Sequence, residues 1–227
     1  MQKPSGRDIL QHLRQQYGPR VWLSHHDPLA ELILTILSQN TSDKNSHRAF
    51  LSLKKVFPYW QQLLTSDPAA IAETIKSGGL AVIKANRIQS ALIEIQKRHG
   101  SLNLDFLADL PFEEARKWLL TLPGVGYKTA ACVLLFALGR PAMPVDTHVY
   151  RVATRLGLIP PRTTLENAHR QLEKAVQERE IYEFHMLMVE HGRRQCSARR
   201  PDCLGCICKN LCTAYDKDMA LPEGLQK

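Results

Sequence analysis

Five cysteines fall within the seventeen residues "CSARRPDCLGCICKNLC" from Cys196 to Cys212, and the 227-residue chain has only one more. So many thiols in so short a stretch must converge on a shared partner or on one another. The start, "MQKPSGRDIL", has no apolar run of signal-peptide length, and no window approaches the roughly eighteen apolar residues a spanning helix needs. This reads as a soluble intracellular chain, in which clustered cysteines serve as metal ligands or catalytic groups more often than as disulfides. Cys196, Cys203, Cys206 and Cys212 give the spacing C-x6-C-x2-C-x5-C, which Cys208 interrupts. Tetrahedral zinc favours paired knuckles, and only Cys203 with Cys206 makes one. Four thiolates in one loop also suit an iron–sulfur cluster, so the spacing leaves both metals open.

The rest of the chain reads as all-α. Helical periodicity and caps recur, while alternating strand patterns bounded by turns are hard to find. "PLAELILTILS", Pro28 to Ser38, is apolar nearly all round and predicts a central buried helix. Asp67 and Pro68 open a helix that Gly78 or Gly79 stops, and another ends near Gly100. Thr163 and Glu166 have capping-box spacing, and Gly192 closes the helix before the cysteines. The length admits one large domain or two small ones. No linker, repeat or low-complexity tract divides them, and the best punctuation is "LGRPAMPVD".

The net charge is +8, which points to a polyanionic partner such as nucleic acid or an anionic membrane surface. "PFEEARKWLLTLPGVGYKTA" reads as a helix, a tight turn and a second helix opening near Tyr127. Gly124 and Gly126 permit backbone angles closed to other residues, and successive N–H groups running into a helix N-terminus form an anion site. An ordinary helical hairpin with capping glycines would look the same. Lys128 lies in the first turn of the second helix, where the helix dipole disfavours the ammonium and leaves more free, nucleophilic amine. Asp146 follows the Pro-interrupted loop; it is an N-cap or a carboxylate that takes the lysine proton and steadies positive charge. His148, His185 and His191 fit packing or capping, and Cys132 fits a small core residue.

"LPGVGYKTA", "VDTHVYRV" and "HGRRQCSARRPDCLGCICKNLC" together resemble, in order and spacing, the endonuclease III branch of the helix-hairpin-helix DNA glycosylases. The resemblance reaches back to "LSQNTSD" and "GGLAVIKANRI". It implies a six-helix domain over 28–139 and a discontinuous helical domain over 1–27 and 140–227, with a DNA cleft between them. It also implies a [4Fe–4S] cluster on Cys196, Cys203, Cys206 and Cys212, with Cys208 a bystander. Lys128 matches the lysine that attacks C1′ of the damaged nucleotide, and Asp146 the essential aspartate. Gln39 and Leu80 resemble the side chains that enter the duplex where a nucleotide is extruded. Gly124, Val125 and Gly126 match the hairpin whose amides hold a phosphate. Arg199 and Arg200, between the first two ligands, would meet the DNA backbone.

The implied enzyme is a monomeric base-excision glycosylase with AP-lyase activity. Its partner would be double-stranded DNA carrying a damaged base, an oxidised pyrimidine by family default, or an abasic site, with no membrane involved. Lys128 and an end fifteen residues after Cys212 argue against the adenine-removing relatives. A mismatch or uracil glycosylase of the same superfamily, a catalytically weak cluster-bearing DNA sensor, and a zinc-organised RNA-binding module are the rival readings. Tyr127 takes the family's variable slot before the lysine, and "SQNTSD" departs from the common sequence around the inserted glutamine.

Overall fold

A computed structural model describes residues 4–23 and 27–215; residues 1–3, 24–26 and 216–227, which the expected discontinuous domain includes, lie outside them. The described residues form helices and loops without strands. The chain divides into two compact units, Met1–Trp22 with Pro141–Lys227, and Leu23–Arg140. No helix among the described residues is long and apolar enough to cross a membrane.

The continuous unit is built around α2 (Pro28–Ser38). Asp27 caps it by accepting from the Leu29 and Ala30 amides, and Pro28 pre-sets the first turn. Even its polar Glu31 and Thr35 are buried, and Leu32, Ile33, Ile36 and Leu37 are at most 1% exposed. Each such side chain contributes roughly 1.5–3 kcal/mol relative to exposure. Around it lie α3 (Asp43–Val56), the single-turn α4 (Gln62–Thr65), α5 (Pro68–Thr74), α6 (Ala81–His99), α7 (Phe112–Leu120) and α8 (Tyr127–Cys132). α5 opens at Asp67 as expected but stops at Thr74, short of the glycines, and a 3-10 turn over Lys76–Gly78 completes the approach. α6 ends on Gly100 at φ 77°, a left-handed cap. α8 continues as one wider π-turn over Val133–Ala137.

The other unit joins α1 (Gly6–Tyr17) to α9 (Thr147–Leu156), α10 (Leu165–Glu173) and α11 (Ile181–Arg194). α1 is pinned to α11 by Arg14, which donates to Glu183 at 2.6 Å, and the segment after α1 by Arg20, which donates to Glu190 at 2.7 Å. Two expected boundaries move. Gly192 does not end α11, which runs on to Arg194. A Cβ there would lie 2.9 Å from the His148 Cβ, so the glycine lets α9 and α11 approach closely. Thr164, not Thr163, caps α10 by accepting from the Asn167 amide, while the Thr163 hydroxyl donates to the Pro160 carbonyl. Two adjacent threonines offer the same chemistry, and the turn from Pro160 selects between them.

Candidate active site

The hairpin between α7 and α8 is held by its own backbone. Val125 is buried at 7% exposure, and its amide donates to the Leu122 carbonyl at 3.2 Å. This spends one of the three amides expected to face a phosphate. The Gly124 and Gly126 amides make no hydrogen bond among the described residues, and both glycines are exposed. Gly124 stands at φ 77°, and a Cβ there would come within 2.9 Å of Arg87 Cγ and Cδ. Gly126 lies at φ −103°, which any residue adopts. The chain passes directly into α8, whose first turn carries the half-buried Lys128.

Beneath this turn, α2 presents Glu31 at 6% exposure, with Oε1 accepting from the Thr35 hydroxyl at 3.1 Å. Burial pushes its carboxyl above the usual range, against the pull of Thr35 and of the Lys128 charge. Just after α2, Gln39 is tied to the hairpin: its Nε2 donates to the Gly124 carbonyl at 3.3 Å and to Thr129 Oγ1 at 3.4 Å. Its Oε1 accepts from Arg87 Nη1 at 2.7 Å. Gln39 is thus half-buried and fully engaged, while its neighbour Asn40 is exposed at φ 53°. Leu80, before α6, combines 51% exposure with φ 49° and ψ 37°, a left-handed conformation costly for leucine. An exposed apolar side chain on a strained backbone is the form expected of a wedge.

In the other unit, Asp146 caps α9 by accepting from the Val149 amide through Oδ1 at 2.7 Å. Its Oδ2 has no protein partner among the described residues, so capping and chemistry can coexist on one carboxylate.

Cys196, Cys203, Cys206 and Cys212 line one cavity of about 110 Å³ together with Arg155, His191 and Tyr215. Cys208 is fully buried outside that lining. Arg155 donates to Cys196 Sγ at 3.2 Å and to the Ser197 carbonyl at 2.7 Å, while Arg151 donates to the Cys196 carbonyl at 3.0 Å. His191 lies 3.6 Å from Cys206 Sγ through Nε2 and 3.0 Å from the Tyr17 hydroxyl through Nδ1. A hydrogen bond from Cys208 holds the Cys206 thiol down to about 4, and the same bond pushes Cys208 up. Burial raises Cys203 and Cys212, and the facing thiolates raise them further. Four sulfurs around one cavity, two of them with ionisation opposed by their neighbours, form a donor set suited to a cationic group. No three His, Cys, Asp or Glu side chains among the described residues gather as a ready single-ion site. Arg199 and Arg200 are exposed in the first intercysteine loop with no ion pair among the described residues.

Two groups at these sites escape a reading from sequence, Lys84 and Arg155; His191, expected to pack or cap, is buried beside Cys206. Lys84 falls on the buried stripe of α6 with Ile88, Leu92 and Ile95, so a lysine in an apolar helical register was the available signal.

The chain matches the HhH-GPD superfamily of base excision DNA repair proteins over residues 33–178. It is 37% identical to endonuclease III of Thermotoga maritima, over 83% of this chain and 84% of that protein. A protein of Arabidopsis thaliana that carries a DNA glycosylase name is 38% identical over 71% of this chain, which spans 55% of that protein's length. Among solved structures, a trapped covalent intermediate of endonuclease III with DNA matches with a TM-score of 0.81 and 28% identity, over 95% of this chain and 99% of that one. With its helical fold, glycine hairpin and cysteine-lined cavity, the chain belongs to the endonuclease III family of base-excision DNA glycosylases and AP lyases.

Proposed function

We propose that this chain removes a damaged base, an oxidised pyrimidine by family default, from double-stranded DNA and then cleaves the abasic strand. The observation that carries this reading is the junction at Gly124–Lys128. Two glycine amides without partners among the described residues run straight into a helix whose first turn holds a half-buried lysine. The amides suit a backbone phosphate, and the lysine suits attack on the sugar beside it.

The Lys128 amine forms a bond to C1′ as the base departs with the glycosidic electron pair; the C1′–O4′ bond then breaks, O4′ takes a proton, and an iminium is left on the opened sugar. Asp146 supplies the carboxylate that accepts the ammonium proton and steadies the positive charge. The iminium acidifies the neighbouring C2′ proton; its loss expels the 3′ phosphate by β-elimination. Leu80 and the Gln39 loop fill the space that the extruded nucleotide leaves.

Cys196, Cys203, Cys206 and Cys212 would hold a [4Fe–4S] cluster; family membership, spacing and their shared cavity support this. Bound there, the cluster supplies cross-links that fix the loop. Arg199 and Arg200 then present cations to the DNA backbone on a backbone also tethered by Arg151 and Arg155.

Incubation with an abasic-site duplex and borohydride tests the reading. The wild-type protein should form a covalent adduct, and Lys128→Ala should lower its yield by roughly 10³-fold or more. A Lys128→Ala variant that still traps DNA as the wild type does would sink the lyase assignment. Single-lesion duplexes then identify the preferred base.

A further inference from the structure

Two basic residues in the opening turns of α6 reach the Gln39 loop, the Leu80 turn and the Gly124 hairpin, three parts of the continuous unit that the proposed function places on DNA. Lys84 is 1% exposed, and its Nζ donates to the Leu37 and Gly78 carbonyls at 2.7 Å each. Leu37 is in the last turn of α2, two residues before Gln39, and Gly78 ends the 3-10 turn two residues before Leu80. Neither partner is a carboxylate, so an ammonium has been taken out of water for two neutral acceptors. A methionine or leucine would fill the same apolar stripe without that cost, so stability alone does not account for a lysine here.

Arg87 lies three residues further along the same helix face. Its guanidinium donates to Gln39 Oε1 at 2.7 Å, and its Cβ, Cγ and Cδ occupy the space beside Gly124. Gln39 completes the link by donating back to the Gly124 carbonyl. The Leu80 carbonyl accepts from the Lys84 amide at 3.0 Å, which helps to hold that leucine in its left-handed conformation.

We propose that Lys84 and Arg87 are positioning residues that lock the Gln39 loop, the Leu80 turn and the Gly124 hairpin into one rigid surface. Wedge insertion and phosphate binding then occur together rather than as independent loop motions. This rests on the proposed duplex-entering roles of Gln39 and Leu80. It also separates two substrates. In a duplex, the lesion strand must be wedged from its partner; a single strand with the same abasic site asks only for phosphate binding and the Lys128 amine.

The test compares wild type, Lys84→Met, Arg87→Ala and Arg87→Lys in borohydride trapping on duplex and single-stranded oligonucleotides with the same abasic site. Fluorescence of 2-aminopurine opposite that site reads insertion separately from chemistry, and circular dichroism checks folding. Lys84→Met and Arg87→Ala should lower the duplex-to-single-strand rate ratio by roughly tenfold or more. Both should weaken the fluorescence change, and Arg87→Lys should retain most of it. Equal losses on the two substrates with normal fluorescence would reduce both residues to a structural role and overturn the proposal. If Lys84→Met fails to fold, Arg87→Ala decides, because its side chain is exposed. A wild-type protein that gives the fluorescence change but traps on neither substrate would overturn the lyase reading while supporting this one.

Discussion

The hairpin before Lys128 and the loop from Cys196 to Cys212 are both short turns at a candidate site, yet they are held by different physics. The hairpin is shaped from within: Val125 is buried, its amide closes the turn, and Gln39 and Arg87 brace it with neutral and cationic hydrogen bonds. The cysteine loop has little apolar burial of its own beyond Cys208 and depends on Arg151 and Arg155 reaching its carbonyls. Burial and the neighbouring sulfurs oppose ionisation of Cys203 and Cys212. One turn is complete as a polypeptide; the other is a socket whose electrostatics favour a bound cationic group. The proposed function puts chemistry that depends on ångström placement on the first, and adhesion to a polyanion on the second.

The largest expected effect breaks the socket. Cys203→Ala should abolish the visible absorption of the purified protein, expose the loop to protease and weaken duplex binding. Losing a few kcal/mol of bound-group stabilisation should lower Tm by roughly 10 °C at this chain length. Unchanged colour and Tm would contradict the ligand assignment.

A smaller effect is expected at the hairpin. Gly124→Ala places a side chain at φ 77° and against Arg87. It should cost about 1–3 kcal/mol, read as a Tm loss of several degrees with the visible absorption retained. A neutral result would mean that the turn relaxes freely and is not preorganised. The least effect on folding belongs to Arg199→Ala with Arg200→Ala. Exposed and without ion pairs among the described residues, they should change stability by no more than about 0.5 kcal/mol. Yet the slope of log affinity against log salt should flatten by roughly 1–2 units, as two phosphate contacts require. An unaltered slope would remove them from the interface.

What was legible in the sequence follows the range of the interactions. The helical class, the largely apolar α2, the Asp67 and Asp146 caps and the Gly100 stop depend on neighbours within a few residues. Gly192 misled because a glycine that ends a helix and one that admits another helix look alike until the partner, His148, is known. α5 stopped early because the chain tightens into a 3-10 turn under tertiary contacts. Lys84 and Leu37 are 47 residues apart, and Arg155 and Cys196 are 41 apart, so no local pattern joins them. Gln39 could be singled out from sequence, but its carboxamide's bonds to the hairpin and to Arg87 could not. Local grammar places the reactive groups; long-range polar contacts fix their aim.

In the proposed reaction the amine at the start of α8 carries the chemistry. Borohydride trapping on an abasic-site duplex, followed by proteolysis and mass spectrometry of the DNA-bearing peptide, addresses it directly. The DNA should map to Lys128. An adduct on another lysine or on the N-terminal amine, with Lys128 unmodified, would contradict it.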